Sequence, residues 1–286
     1  LIDLAFRLPP FNVRVRSDFS SVADHVADLY PALQRLDSAS FVDFDIRILR
    51  GKGHRRWLGQ QARFLLDAQE PFLPLPGSQA PALLEWGLNW SIAARPLGYL
   101  VLHAAVLARG TDAVVMPGFP GAGKSTLCAS LAFLGGWRLL SDELAILDPG
   151  TLALHPNPRP ISVKNESIDI VGRFPGAAVG PVYHDTRKGR LSHLAPPRES
   201  ALAAEETARC RWIVFPSFQR DDEHGWHEEI SRAEAFALIS EQSFNKERMG
   251  EQGFHALCGM LDGARCFQIG YGSTAAGLEL IDRLCR

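Results

Sequence analysis

MPGFPGAGKSTLCASLAFLGGWRLLSDELAIL (116–147) sets a glycine-rich turn, a lysine, two hydroxyls and two adjacent carboxylates within one short run. Gly118, Gly123, Lys124 and Ser125 satisfy the pattern G-x-x-x-x-G-K-[ST]. Each part has a physical job. The glycines let successive main-chain N–H groups turn inward on phosphate oxygens, in conformations that a side chain disfavours. Lys124 reaches the β- and γ-phosphates, and the Ser125 hydroxyl can ligate magnesium. The helix that follows directs its positive end at the anion. Ahead of the loop, DAVVM (112–116) reads as a short apolar strand. Behind it, Leu127, Leu131 and Leu134 fall at i, i+4 and i+7 on one helix face, and Gly135 with Gly136 stops the helix. The expected cradle is Gly118, Phe119, Pro120, Gly121, Ala122, Gly123, Lys124, Ser125 and Thr126, and the expected ligands are ATP and Mg2+.

WRLL (137–140) reads as the next strand. A right-handed crossover sets it parallel to the strand before the loop, with its carboxyl end at the same edge of the sheet. Ser141, Asp142 and Glu143 fall at that edge, so chain geometry alone brings Asp142 near the γ-phosphate. A carboxylate there either holds magnesium or takes a proton from an attacking hydroxyl. Neighbours on a strand point oppositely, so only one of the two acids easily faces the phosphates. A solvated acidic pair at a strand end is the plain structural alternative.

Outward from this run, LGYLVLHAAVLARG (97–110) reads as a long apolar strand, joined by a turn to TDAVVMPG (111–118). TLALHPNPRPISVKN (151–165) is extended and proline-rich, RWIVFPSF (211–218) is a further buried strand, and helical patterns run over 232–243 and 274–285. Before residue 96 the texture differs. FNVRVRS (11–17) and FVDFDIRIL (41–49) alternate like strands, while 21–33 and 82–95 carry helical spacing on either side of a proline-rich break at 70–81. The expected division is an N-terminal α+β region, 1–95, and an α/β domain, 96–286.

The 286 residues carry a net charge of -2 and are 46% apolar, which argues against a general nucleic-acid or membrane-surface binder. No apolar run reaches the length of a membrane span and no signal-peptide pattern is visible. The chain opens on Leu1 rather than Met, so residues are expected to precede it. Cys128, Cys210, Cys258, Cys266 and Cys285 form no C-x-x-C pair and are expected as reduced, buried, apolar-like side chains, in keeping with a cytoplasmic location.

The order of these features resembles the catalytic domain of HPr kinase/phosphorylase, whose relatives share a nucleotide-binding fold with phosphoenolpyruvate carboxykinase. A strand carrying His103 precedes the loop, and the strand after it ends in Asp142-Glu143, where that family has an Asp-Asp pair. The stretches EWGLNW, LHAAVL, SDELAIL, PRPISVKN and SFN look closer still to the bacterial group called HPr kinase-related kinase A. The broader likeness covers roughly 97–170 and the closer one most of the chain.

The resemblance implies a P-loop kinase domain of that α/β type, with Asp142 as proton acceptor, His103 tuning it and Lys124 on the transferred phosphate. It implies magnesium on Ser125, with Glu143 or Glu166 as further ligands. Glu166 in SVKNES is the nearest match to a family glutamate, and Lys164 is the alternative there, as a phosphate contact. HPr kinases are hexamers, but no interface residue in the sequence transfers that state, and a homo-oligomer stays open. The N-terminal region does not look like theirs, and their C-terminal segment for the reverse, phosphorolytic reaction is not found. Kinase activity is therefore implied more strongly than phosphorylase activity, and HPr itself is not implied as substrate.

The expected function is transfer of a γ-phosphoryl group from ATP to a hydroxyl acceptor, whether protein, peptide or small molecule, with a serine of a protein or peptide foremost. A P-loop ATPase driving a partner and a nucleotide-sensing module are the alternatives. Neither nucleic acid nor membrane is an expected partner. Residues 1–95, with Arg14, Arg16, Arg55 and Arg56, either select the acceptor or cap a sheet edge. Four features have plain readings: His103 as a core histidine, HGWH (224–227) as an acidic solvated loop, TRKGR (186–190) as a basic turn, and Trp86 with Trp90 as helix packing.

Overall fold

In the computed structural model, which describes residues 2–53, 59–119, 121–186, 189–220 and 225–286, strands β1 (Ile2–Leu8) and β2 (Phe11–Ser17) form an antiparallel hairpin. Phe11, Val13 and Val15 turn inward while Asn12, Arg14 and Arg16 turn out, the period-2 pattern of a strand covered on one face. Helix α1 (Ser20–Leu29) buries Val22, Val26 and Leu29 and ends ahead of Pro31, which disfavours helix at the residue before it. The chain returns as β3 (Phe44–Arg50), parallel to β2, then β4 (Gln61–Leu66) and β5 (Leu75–Pro76), giving the order β1-β2-β3-β4-β5.

Helix α2 (Ala80–Ala94) lies on the inner face of this sheet. Gly87 lets it approach β4, because a Cβ there would fall 1.9 Å from the Phe64 ring. The core that results joins Phe44, Ile46 and Phe64 to Leu84, Leu88 and Ile92, and continues past residue 96 into Val101, Leu144 and Ile146.

From there the chain builds a second, larger sheet: β6 (Leu100–Arg109), β7 (Asp112–Pro117), helix α3 (Lys124–Phe133), β8 (Arg138–Ser141), β9 (Leu144–Leu147) and β10 (Ala153–His155). A small sheet follows, made of β11 (Ile161–Lys164), β12 (Tyr183–Thr186) and β13 (Gly189–Leu194), with α4 (Glu166–Val171) inserted and α5 (Arg198–Leu202) after it. The large sheet is then completed by β14 (Ala208–Phe218), β15 (Trp226–Glu229) and β16 (Arg265–Tyr271), interleaved with α6 (Arg232–Ser240), α7 (Lys246–Met249), α8 (Glu251–Asp262) and the last helix, α9 (Thr274–Leu284).

The row runs β10-β9-β6-β7-β14-β16-β15, with β8 also on β6 and β10 touching the start of β14. Both faces are covered. Ala105, Leu107, Val114 and Met116 pack with α3 and α9 on one side. Ala104, Val106, Val115 and Ile213 pack with α6 and α8 on the other. That double burial is why 97–110 reads as a continuous apolar run rather than an alternating one. The architecture is mixed α/β.

The structure differs from the sequence expectations in several places. The strand from 138 runs in the same direction as β7 but is not its neighbour, since both pair antiparallel with β6, which lies between them. The expected extended segment 151–165 contains β10 and β11. Strands β1, β4, β5, β9, β12, β13, β15 and β16 and helices α4, α5, α7 and α8 were not anticipated. Four cysteines are buried as expected, whereas Cys258 is only half-buried. Among the described residues no helix is long and apolar enough to cross a membrane.

Candidate functional site

Strands β7, β14 and β16 are parallel, so their carboxyl ends gather at one edge, where α/β sheets bind ligands. The loop after β7 is clamped there. Phe218 N donates to the Ala122 carbonyl at 3.2 Å, and Gly123 adopts φ +77° immediately before α3. A Cβ on Gly123 would lie 2.7 Å from the Tyr271 hydroxyl and 2.8 Å from Phe218 Cβ, so both conformation and space require glycine. Gly118, Phe119 and residues 121–126 wall a cavity of about 680 Å³. Pro120, also expected in the cradle, lies outside the described residues.

His103, Glu143, Lys164 and Glu166 line the same cavity. Strand β6 brings the first two together. Ser141 at the end of β8 pairs with Val106, and Leu144 at the start of β9 pairs with His103. Between them the chain makes a tight turn in which Leu144 N donates to Ser141 Oγ at 3.1 Å and Ala104 N donates to the Glu143 carbonyl at 3.2 Å. Of the two acids that this turn carries, Glu143 lines the large cavity and Asp142 does not.

Asp142 is buried beneath the loop, at 5% exposure, and is absent from the wall of the large cavity. Its Oδ2 accepts from Ser125 Oγ at 3.1 Å, and Lys124 Nζ donates to its main-chain carbonyl at 2.6 Å. Its Oδ1 is buried without a hydrogen-bond partner among the described residues. Burial pushes the Asp142 carboxyl above its ordinary value; Lys124 pulls the other way and Glu143 adds to the rise. Burial, reinforced by Asp142, likewise pushes the Cys128 thiol well up.

Glu143 opens onto the large cavity and also onto a small polar one behind it, which Asp142, Asn89 and Arg159 line as well. Glu143 Oε2 accepts from Asn89 Nδ2 on α2. Burial pushes its carboxyl up, but Lys124, Arg159, Lys164 and His103 outweigh it and the net shift is downward.

His103 is half-buried on β6, with its main-chain N–H on the Gln242 carbonyl at 2.7 Å and its ring 6.1 Å from that of Phe244. Burial and then Lys124 lower its pKa, against Glu143 and a hydrogen bond with Gln242. Lys164 ends β11 on the cavity wall. Glu166 also lines the cavity, but it is exposed and ion-paired with Arg220. The Thr126 hydroxyl bonds to that of Ser167 at 2.7 Å, tying α3 to α4.

The oxygens around Ser125 suit magnesium. Mg2+ prefers oxygen ligands and is usually held by one or two carboxylates plus substrate phosphates rather than by an all-protein cage. Asp142, with one orphaned carboxylate oxygen and the other on the Ser125 hydroxyl, offers such a partial site beside the loop. Among the described residues no cluster of three or more His, Cys, Asp or Glu could hold a metal by itself.

Several cavity residues escape sequence reading. Phe218, Arg220 and Tyr271 line it from the ends of β14 and β16. The strand over 211–218 was legible, and the rule that parallel strands gather their carboxyl ends would have placed Phe218. Asn89 and Arg159 lie in stretches that carry the family resemblance, EWGLNW and PRPISVKN, but only tertiary packing brings them to Glu143. Of the features given plain readings, His103 faces the cavity, Trp90 packs on Phe72 at 5.5 Å and Trp86 packs against a buried cluster with Tyr183. His227 is exposed on β15 and Arg190 pairs with Asp169, while His224, Arg187 and Lys188 lie outside the described residues, as do Arg55 and Arg56. Compared with models of protein families and with curated proteins, the chain matches none.

Proposed function

We propose that the chain is an ATP- and magnesium-dependent kinase with the P-loop fold of the HPr kinase and phosphoenolpyruvate carboxykinase type, transferring the γ-phosphoryl group to a hydroxyl, foremost a serine of a protein or peptide. One observation carries this reading: the glycine-rich loop with Lys124 and Ser125 and the acidic residue Glu143 line one and the same cavity. The order of hairpin, loop, helix and acid-ended strand supports the fold assignment.

In this reading the loop amides and Lys124 hold the β- and γ-phosphates, and Lys124 neutralises charge as it develops. Ser125 and Asp142 would hold magnesium, which supplies further charge neutralisation when bound. Glu143 takes the role of base in place of Asp142, because Asp142 lies under the loop against Ser125 while Glu143 faces the cavity. The acceptor oxygen attacks the γ-phosphorus, the bond to the β–γ bridging oxygen breaks, ADP leaves, and the hydroxyl proton passes to Glu143. His103 acts electrostatically on that carboxylate, and Lys164, which lines the same cavity, would contact the phosphates.

The test is incubation with γ-labelled ATP, Mg2+ and the products of neighbouring genes, followed by mass spectrometry. Label on an acceptor hydroxyl is the expected result. Steady release of label to water, unaffected by any added acceptor, would make the chain an ATPase instead.

A further inference from the structure

Asn89 belongs to α2, in the part of the chain without phosphate chemistry of its own, yet both ends of its amide are engaged beside Glu143. Its Oδ1 accepts from Arg159 Nη2 and its Nδ2 donates to Glu143 Oε2. The orientation is fixed by chemistry. A guanidinium only donates and an ionised carboxylate only accepts, so the amide oxygen must face Arg159 and the NH₂ must face Glu143.

Arg159 is itself anchored. It is buried, with Nη1 3.3 Å from Glu85 Oε2 and Nε donating to Asn157 Oδ1 at 2.9 Å. Glu85 is held in turn by His25 Nε2 at 2.9 Å and by the Tyr30 hydroxyl at 2.7 Å. Asn157 donates to the Pro9 carbonyl at 2.7 Å. A continuous row of polar contacts thus runs from α1 through α2 to the carboxylate that faces the cavity.

We infer that Asn89 is a positioning residue for Glu143: its amide spaces the carboxylate from the Arg159 guanidinium and keeps it turned to the phosphate-binding cavity, so the N-terminal layer sets the geometry of the site. The inference rests on the reading of Glu143 as the base. Arginine and carboxylate form strong bidentate pairs wherever they can meet. With the amide removed, Glu143 swings onto Arg159 and away from the cavity. An asparagine with a merely structural role would need only to give Arg159 an acceptor.

Two substitutions separate these roles. Asn89→Asp keeps the shape and the acceptor for Arg159 but replaces the donor facing Glu143 with a carboxylate oxygen. The slow hydrolysis of γ-labelled Mg·ATP, with water in place of the acceptor, should lose about 10- to 100-fold in kcat, the usual size for supporting-shell changes. KM for ATP and ADP affinity should stay as in the parent chain. A crystal structure of Asn89→Ala should show a direct Arg159–Glu143 pair. Unchanged kcat in Asn89→Asp, or Glu143 still facing the cavity in Asn89→Ala, overturns the inference. Glu143→Gln tells its failure from that of the underlying reading. If that variant is inactive while Asn89→Asp is not, only the positioning role falls; if Glu143→Gln keeps full activity, Glu143 is not the base at all.

Discussion

Two buried carboxylates on either side of the small polar cavity, Glu85 and Asp142, are treated in opposite ways. Both are almost fully shielded, at 3% and 5% exposure. Glu85 receives His25, Tyr30 and Arg159, and although burial alone would push its carboxyl up, His25, Arg159 and His193 hold it down at about 2. Asp142 receives the Ser125 hydroxyl on one oxygen and has the other unpartnered among the described residues, and its carboxyl is shifted upward. Their cations differ as well. Arg159 sits on its carboxylate, whereas Lys124 is bonded to a main-chain carbonyl. A buried polar group is normally satisfied, and one left short calls for an explanation such as a ligand. The first cluster has the character of scaffold, whereas the second leaves a buried carboxylate oxygen unsatisfied among the described residues.

Removing each cation or acid in turn gives ways to break that contrast. The largest effect is expected at Lys124. Lys124→Met should reduce phosphoryl transfer by about a thousandfold, since a donor aimed at developing charge is worth several kcal/mol in the transition state. Melting should change little, because the lysine's hydrogen bond in the free chain is to a carbonyl. Single-turnover measurement with γ-labelled ATP is the check, and more than about a tenth of the parent rate would remove Lys124 from its role.

The two acids should then separate stability from activity. Glu85→Gln leaves Arg159 buried with less than its charge partner and should cost about 3–5 kcal/mol in a denaturant titration. Asp142→Asn replaces a carboxylate that has too few donors, so folding should stay within about 1 kcal/mol of the parent while transfer drops by about 100-fold or more. Equal stability losses in the two variants would erase the distinction between scaffold and site.

Acid sensitivity sharpens the same point from the scaffold side. His193 is buried beside Glu85 and His25, and burial lowers its pKa from 6.5 to about 4, against the pull of Glu85. Glu85 itself is lowered from 4.5 to about 2. Both folded-state values lie below the unfolded ones, so the folded chain binds fewer protons and loses stability as pH falls. The loss should begin near pH 6.5 and amount to about 3 kcal/mol by pH 4 from His193 alone, with Glu85 adding its share below pH 4.5. His193→Leu should flatten the first step. A parent chain equally stable at pH 7 and pH 5 would contradict this.

What the sequence disclosed divides along the same line. The strand–loop–helix around residues 112–133 was legible because its signals are local: glycines at the turns, Lys124 and Ser125 at the helix start, and a strand on each side. The placing of Asp142 and Glu143 at the same edge followed from strand direction, even though β6 intervenes between β7 and β8. Which acid faces the cavity did not follow, because it depends on the tight turn that Ser141 makes with Leu144. That Glu85, Arg159 and Asn89 form one row was not legible, for a simpler reason. Its members are 70 or more positions from some of their partners, and no period or spacing connects them.

The smallest expected effect concerns the arginines of the N-terminal sheet. Arg14 and Arg16 alternate along β2 with Val13 and Val15, whose side chains enter the core beneath α2. They therefore stand on the opposite face of the sheet from Asn89 and Glu143. Arg14 donates to Asp3 at 2.8 Å and to the Ser38 carbonyl at 2.8 Å, while Arg16 lies 3.3 Å from Asp45. Both are thus occupied with neighbours on a solvated face. An exposed ion pair of this kind contributes about 1 kcal/mol or less. Arg14→Glu should accordingly shift stability by no more than that and leave both ATP affinity and acceptor KM at parent values. The N-terminal layer would then act on the site through α2 and not through its outer face. A several-fold rise in acceptor KM for Arg14→Glu, with ATP affinity unchanged, would instead make that outer face a specificity surface and shift the comparison from scaffold against site to two sites on one chain.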